Sequence, residues 1–104
     1  LNGVTMLDPR QTFVDVTVQL GRDVTLYPGT ILQGDTVVGD GCEIGPDTRL
    51  TDCSVGDGAV VEHTVGHDSE VGSGARVGPY AFLPTGSSVG SGAVTGAFYT
   101  APGE

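Results

Sequence analysis

The stretch VVGDGCEIGPDTRL, residues 37–50, decides how this chain is read. It places an aliphatic side chain at Val38, Ile44 and Leu50, with glycine directly after the first two. A small residue stands four places after each, at Cys42, Thr48 and Ser54. An α-helix cannot use this pattern: six residues turn through about 600°, so successive aliphatics would walk around the cylinder. Glycine at this frequency would also cost roughly 1 kcal/mol per site in a helix interior. A short strand followed by a sharp corner does fit. The aliphatic faces inward from a flat wall, the small residue fits where the corner narrows, and Gly, Asp, Asn and Ser suit the turn.

The same unit extends outward in both directions. Its first residue recurs at Val14, Leu20, Leu26, Leu32, Val38, Ile44, Leu50, Val55, Val61, Val65, Val71, Val77, Leu83, Val89 and Thr95. The fifth place is always modest in size, running from Val18 and Val24 through Thr30, Thr36, Cys42, Thr48, Ser54, Ala59, Ser69, Ala75, Ala81 and Ser87 to Ala93. Self-similarity at a fixed period marks a repeat architecture. Three walls close a triangular coil of eighteen residues, so residue i stacks on residue i+18. The interior columns are then Val14-Leu32-Leu50-Val65-Leu83, Leu20-Val38-Val55-Val71-Val89 and Leu26-Ile44-Val61-Val77-Thr95. Branched aliphatics in such ladders pack well on a β surface. Two units are short, Leu50 to Ser54 with five residues and Val61 to Thr64 with four, and they read as deletions at corners.

The expected fold is therefore all-β, a single-stranded parallel β-helix of about five triangular coils over residues 14–98. Residues 1–13 lack the repeat and read as an entry segment, with a turn at Asp8-Pro9. Residues 99–104 form a divergent tail. An abruptly ended β-helix leaves unpaired strand edges, and solenoids cover such ends with a cap; Phe98, Tyr99 and Pro102 are the candidates here.

Composition agrees. A chain of 104 residues is one domain at most. With 38% hydrophobic and 16% charged residues it is not of disordered type, so its 18 glycines have a structural task. Thirteen acids against four arginines give a net charge of −9, which repels phosphate backbones and anionic membranes and disfavours both as partners. The sequence has no run of about 18 apolar residues and no signal-peptide pattern, so a soluble, cytoplasmic protein is expected. Without a secretory signal, Cys42 and Cys53 are expected as small free thiols rather than a disulfide. Eleven residues apart, they should not stack on one another.

The longer phrases carry a resemblance. GVTMLDPRQTFVDVTVQLGRDVTLYPGTILQGDTVVGDGCEIGPDTRLTD at 3–52, VGDGA at 55–59 and VGPYAFL at 77–83 resemble the start of one acetyltransferase domain. It belongs to the bacterial bifunctional N-acetylglucosamine-1-phosphate uridyltransferase / glucosamine-1-phosphate N-acetyltransferase, in its actinobacterial form. The likeness runs over residues 3–98. It implies a left-handed helix, since ordinary parallel crossovers are right-handed and hexapeptide-repeat helices are the exception. It further implies a homotrimer, acetyl-CoA and a sugar phosphate as substrates at subunit boundaries, Mg²⁺ in a uridyltransferase domain that this chain does not contain, and a place in UDP-N-acetylglucosamine and cell-wall synthesis.

Carried over position by position, the likeness stops short of the chemistry. The family reads Leu-Arg-Pro-Gly where this chain has Leu83-Pro84-Thr85-Gly86. Pro84 replaces the phosphate-binding arginine and offers neither charge nor N–H. After Gly96-Ala97-Phe98 the family continues Val-Glu-x-Lys, whereas this chain has Tyr99-Thr100-Ala101-Pro102. The family's catalytic histidine belongs to later coils. The resemblance thus implies an acetyltransferase fragment that is inactive alone, with no catalytic, cofactor-binding or metal residues. The alternative is a non-catalytic β-helical trimerisation or scaffold module.

His63 and His67, with Glu62, Asp68 and Glu70 nearby, are the only possible general bases or half of a metal site; the simpler reading is two exposed corner histidines, since zinc requires three or four ligands. Arg22, Arg49 and Arg76, expected in loop portions of different coils, either bind a phosphate across a subunit boundary or solvate an acidic shell. The GDG triplets at 39–41 and 56–58 and the GSG triplets at 72–74 and 90–92 lack a following helix or GK[ST], so they read as corners rather than phosphate loops. The nonapeptide calcium pattern is absent.

Overall fold

A computed structural model describes residues 3–6 and 11–100. Among the described residues, fifteen short strands, numbered in chain order, form three five-stranded parallel sheets. Sheet 1 contains β1 (Thr5–Met6), β4 (Thr25–Leu26), β7 (Glu43–Ile44), β10 (Val60–Val61) and β13 (Arg76–Val77). Sheet 2 contains β2 (Phe13–Val14), β5 (Ile31–Gln33), β8 (Arg49–Thr51), β11 (Thr64–His67) and β14 (Ala81–Leu83). Sheet 3 contains β3 (Gln19–Leu20), β6 (Val37–Val38), β9 (Ser54–Val55), β12 (Glu70–Val71) and β15 (Ser88–Val89). Consecutive strands always belong to different sheets and neighbours within a sheet are one coil apart. The fold is a β-helix of about five coils, 33 Å long and 23 × 21 Å across.

The expected columns are present. Leu32 pairs in register with Leu50, Val38 with Val55, and Leu26 with Ile44. Leu26, Leu32, Ile44, Leu50, Val61 and Leu83 are fully buried. Corner residues stack just as regularly. Val24, Cys42, Ala59 and Ala75 line one corner and Thr30, Thr48, Thr64 and Ala81 a second, all buried. Corner hydroxyls serve the backbone that the bend exposes: Thr30 Oγ1 donates to the carbonyl of Tyr27 at 2.7 Å and Thr36 Oγ1 to that of Gln33 at 2.8 Å. No buried side-chain polar atom among the described residues lacks a partner.

Glycine after the aliphatic is required by the stacking itself. A Cβ on Gly39 would stand 2.8 Å from the Asp57 nitrogen, and one on Gly56 would stand 2.6 Å from the Ser73 nitrogen. Those are backbone atoms of the next coil. They cannot move aside without unpairing the sheet.

Three expectations change. Gly66, and not Val65, occupies the inner place between Leu50 and Leu83, and Val65 faces outward. The chain from Val61 to Val71 therefore divides into two five-residue units instead of one of four and one of six. Pairing with the coils on both sides sets that register, and a one-residue slip exchanges the two faces. For the same reason Cys53, not Ser54, is the buried corner residue. It lies in the third corner column with Thr36, Ser69 and Ser87: its N–H donates to Thr36 Oγ1 at 3.2 Å and its Sγ lies 3.4 Å from Ser69 Oγ. Lastly, strand β1 lies inside the expected entry segment, with Met6 in register on Leu26. Cys42 and Cys53 stand in different corners and are free thiols. Asp8-Pro9 and Pro102 lie outside the described residues.

Candidate functional site

Functional side chains can project only from the outer faces and the corners. The corner between sheets 1 and 2 is the most unusual. Asp47, His63, Tyr80 and Phe98 succeed one another there, one per coil, all with positive φ between 44° and 64°. Large side chains seldom adopt this conformation. Rings stack up the corner: His63 on Tyr80 with centroids 5.0 Å apart, and Tyr80 on Phe98 at 5.4 Å and 12° between planes. His63 Nδ1 lies 3.7 Å from Asp47 Oδ2. The two histidines do not converge. His63 precedes β11 and His67 ends it, separated by roughly 13 Å of extended chain, and His67 meets Phe82 edge-on. Both are half-buried rather than exposed, and they cannot share one ligand.

The arginines are separated too, and two lie in strands rather than loops. Arg49 begins β8 on the outer face of sheet 2, where its Nε donates to Gln33 Oε1 at 3.2 Å. Arg76 begins β13 on the outer face of sheet 1, and Arg22 stands at the turn between sheets 3 and 1. No two share a face, so no combination can clamp a phosphate. The glycine-rich triplets are corners, as the missing helix implied.

Sheet 3 carries a groove of about 420 Å³, lined in part by Asp52, Ser54, Asp68, Glu70 and Ser88. Its carboxylates suit hydroxyls or a cation and repel phosphate. Pro84 stands on the approach to this corner, where its carbonyl accepts from Ser87 Oγ at 2.6 Å. On sheet 1, the Tyr27 phenol donates to Glu43 Oε1 at 3.2 Å. The charge of Glu43, then that hydrogen bond, pushes the phenol above its ordinary pKa. Burial pushes the Cys42 thiol up, partly offset by hydrogen bonds from the backbone. Among the described residues no group of three or more His, Cys, Asp or Glu could hold a metal ion, and no helix is long and apolar enough to cross a membrane.

The outer face of sheet 2 is the apolar one. Phe13, Ile31, Arg49, Val65 and Phe82 form one outward row, with Phe13, Val65 and Phe82 each about 40–50% exposed. Sequence periodicity alone does not reveal this row, because the six-residue spacing puts Val65 in the interior.

The bacterial transferase hexapeptide family (six repeats) matches residues 17–52. Over those residues the chain is similar to that family. It is 53% identical over 96 residues to the bifunctional protein GlmU of Mycobacterium marinum and 54% identical over 96 residues to that of Rhodococcus opacus. These matches take in 92% of this chain but only 20% and 19% of those proteins. The chain thus spans about a fifth of the curated relatives it matches. The acetyltransferase domain of PglB from Neisseria gonorrhoeae superposes with a TM-score of 0.89, at 19% identity, over 97% of this chain and 50% of that one. PerB from Caulobacter crescentus, in complex with CoA and GDP-perosamine, gives 0.69 at 23% identity. At such identities the two structures establish the shared fold. They do not transfer a site to this chain.

Proposed function

We propose that this chain supplies the first coils of an acetyltransferase β-helix of the bifunctional GlmU type, and that these coils are scaffold rather than catalyst. The observation that carries the reading is the identity above 50% over nearly the whole chain, combined with the departure at Pro84. A relative of that type moves an acetyl group from acetyl-CoA to the amine of glucosamine 1-phosphate in the cytoplasm, on the way to UDP-N-acetylglucosamine. Here the place of the phosphate-binding arginine is Pro84, the nearby groove is acidic, and the three described arginines lie apart. The residues present do not fit the phosphates of CoA or of the sugar, so no catalytic step is assigned to them. The Mg²⁺ of the uridyltransferase reaction would belong to another domain.

The scaffold role gives the apolar row of sheet 2 a purpose. Three prisms packed around an axis through this face would cover Phe13, Val65 and Phe82, and a homotrimer is the proposed assembly. Two measurements test the reading. Purified chain with acetyl-CoA and glucosamine 1-phosphate should release no CoA above background, and turnover would overturn the inactive assignment. Sedimentation at micromolar concentration should show multiples of three chains. A single chain there would overturn the assembly.

A further inference from the structure

The outward normals of neighbouring walls in a triangular prism stand about 120° apart, whereas two walls laid flat on each other need opposed normals. A threefold rotation therefore cannot lay one copy's wall flat on the next copy's wall. It can only seat a corner of one copy on a wall of its neighbour. Prisms standing side by side around such an axis also keep their coils level, so a residue meets the neighbour's residues of its own coil. The side chains present then select one wall and one corner.

The wall is the apolar one. Ile31, Arg49, Val65 and Phe82 follow one per coil along its outer row, and Val65 and Phe82 are 39% and 41% exposed. Arg49 is the single charge among them. Its Nε donates to Gln33 Oε1 at 3.2 Å, and it has no carboxylate partner among the described residues. Covering the row would bury an unpaired guanidinium unless the neighbour brings a carboxylate to that level.

Two of the three corners are acidic in successive coils. Asp35, Asp52 and Asp68 stand between sheets 2 and 3, and Asp23, Asp40 and Asp57 between sheets 3 and 1. The corner between sheets 1 and 2 carries one carboxylate on its crest. Gly29, Asp47, His63 and Tyr80 succeed one another there, all with positive φ. Tyr80 is exposed, and Asp47 keeps most of its carboxylate open beside His63. Glu62 continues the sheet 1 ladder, its N–H donating to the Val77 carbonyl at 3.0 Å, and so lies on the flank of this ridge.

We propose that the Asp47-His63-Tyr80 corner of each copy seats on the Arg49-Val65-Phe82 row of the next, with Arg49 paired to the partner's Asp47. This contact rests on the threefold assembly proposed above. Coil by coil, Ile31 meets the partner's Gly29, Arg49 the partner's Asp47, Val65 the partner's His63 and Phe82 the partner's Tyr80. The one cation of the row falls at the height of the one carboxylate of the crest. The corner between sheets 2 and 3 would instead press Asp35 on Ile31 and Asp68 on Val65, where nothing neutralises them. The pair also fixes the height of one copy against the next. Sliding by one coil would lay Asp47 on Ile31 or Val65 and leave Arg49 against Gly29 or His63.

Sedimentation equilibrium of the full chain at micromolar concentration tests the pairing, with circular dichroism as the check on folding. Wild type should run as three chains. Arg49→Glu and Asp47→Arg each set like charges against one another and should weaken association by on the order of 100-fold or more. Combined in one chain, the two substitutions restore opposite charges and should return the protein to three chains. Asp35→Arg, on an acidic corner, should stay at three. A second measurement leaves both charges in place: His63→Cys with Val65→Cys should join neighbouring chains by disulfides on oxidation, read on a non-reducing gel. Wild type at three chains with a folded Arg49→Glu variant also at three overturns the contact and leaves the trimer standing. A folded double charge variant that stays at one chain does the same, as does an oxidised cysteine pair that joins no chains. Wild type at one chain overturns both.

Discussion

Gly66 lies directly in line with Leu50, and a Cβ built on it would stand 3.1 Å from Leu50 Cδ2 and 3.2 Å from Cys53 Sγ. The interior column narrows here, because the coil from Leu50 to Gly66 is two residues short of eighteen and the wall is drawn inward. Absence of a side chain is what lets the deletion fit. Gly66→Ala should change stability by less than about 1 kcal/mol, as the flexible end of Leu50 can shift, while Gly66→Val should cost about 1–3 kcal/mol through overpacking. Urea unfolding of the two variants decides this. Equal midpoints for Val and wild type would contradict the crowding.

The two kinds of glycine should respond differently to alanine. Gly39 has ordinary backbone angles, but its Cβ would strike Asp57 backbone, so Gly39→Ala should lose at least about 2 kcal/mol or fail to fold. Gly58 has φ +71° with nothing within 4 Å, and Gly58→Ala should lose only the left-handed penalty of about 1–2 kcal/mol. Thermal unfolding should rank them in that order.

Thr36 joins two coils through one hydroxyl, which donates to Gln33 and accepts from the Cys53 N–H. Thr36→Val keeps the shape and leaves that buried N–H unpaired, so a loss of about 1–3 kcal/mol is expected. Thr36→Ser retains the hydroxyl and should lose less. A Val variant as stable as wild type would show that the bond carries no weight.

Burial raises the Cys42 thiol above 9.0, so the folded state favours its neutral form. Stability from this group is fully present below pH 9 and falls as pH rises beyond it, because the unfolded chain releases the proton first. Urea midpoints should decline above pH 9, and Cys42→Ala should flatten that decline. At pH 8 both thiols should alkylate only as fast as the chain unfolds, read by mass spectrometry with and without denaturant. Prompt labelling of Cys42 in the native protein would contradict its burial.

Leu32 and Leu50 stack in register in the interior, both fully buried. Leu50→Ala should cost about 2–5 kcal/mol. Val14→Ala, in the half-buried first coil, should cost less than half as much.

The sequence alone was enough to establish the β-helix, its three columns and its glycine corners. Spacing of six with an inward aliphatic and a small fifth residue has only one economical physical solution, and most units repeat it. The lack of charge and N–H at Pro84 is legible there too, because it depends on side-chain chemistry and not on position. Tertiary pairing decided the rest. Whether Val65 or Gly66 faces inward, and whether Cys53 or Ser54 fills the corner, depends on register against the coils above and below, and local residues in a shortened coil satisfy both alternatives. The stacked ladder of His63, Tyr80 and Phe98 and the apolar row on sheet 2 arise in the same way. Their members lie 16–18 residues apart, and only closure of each coil onto the next brings them within contact.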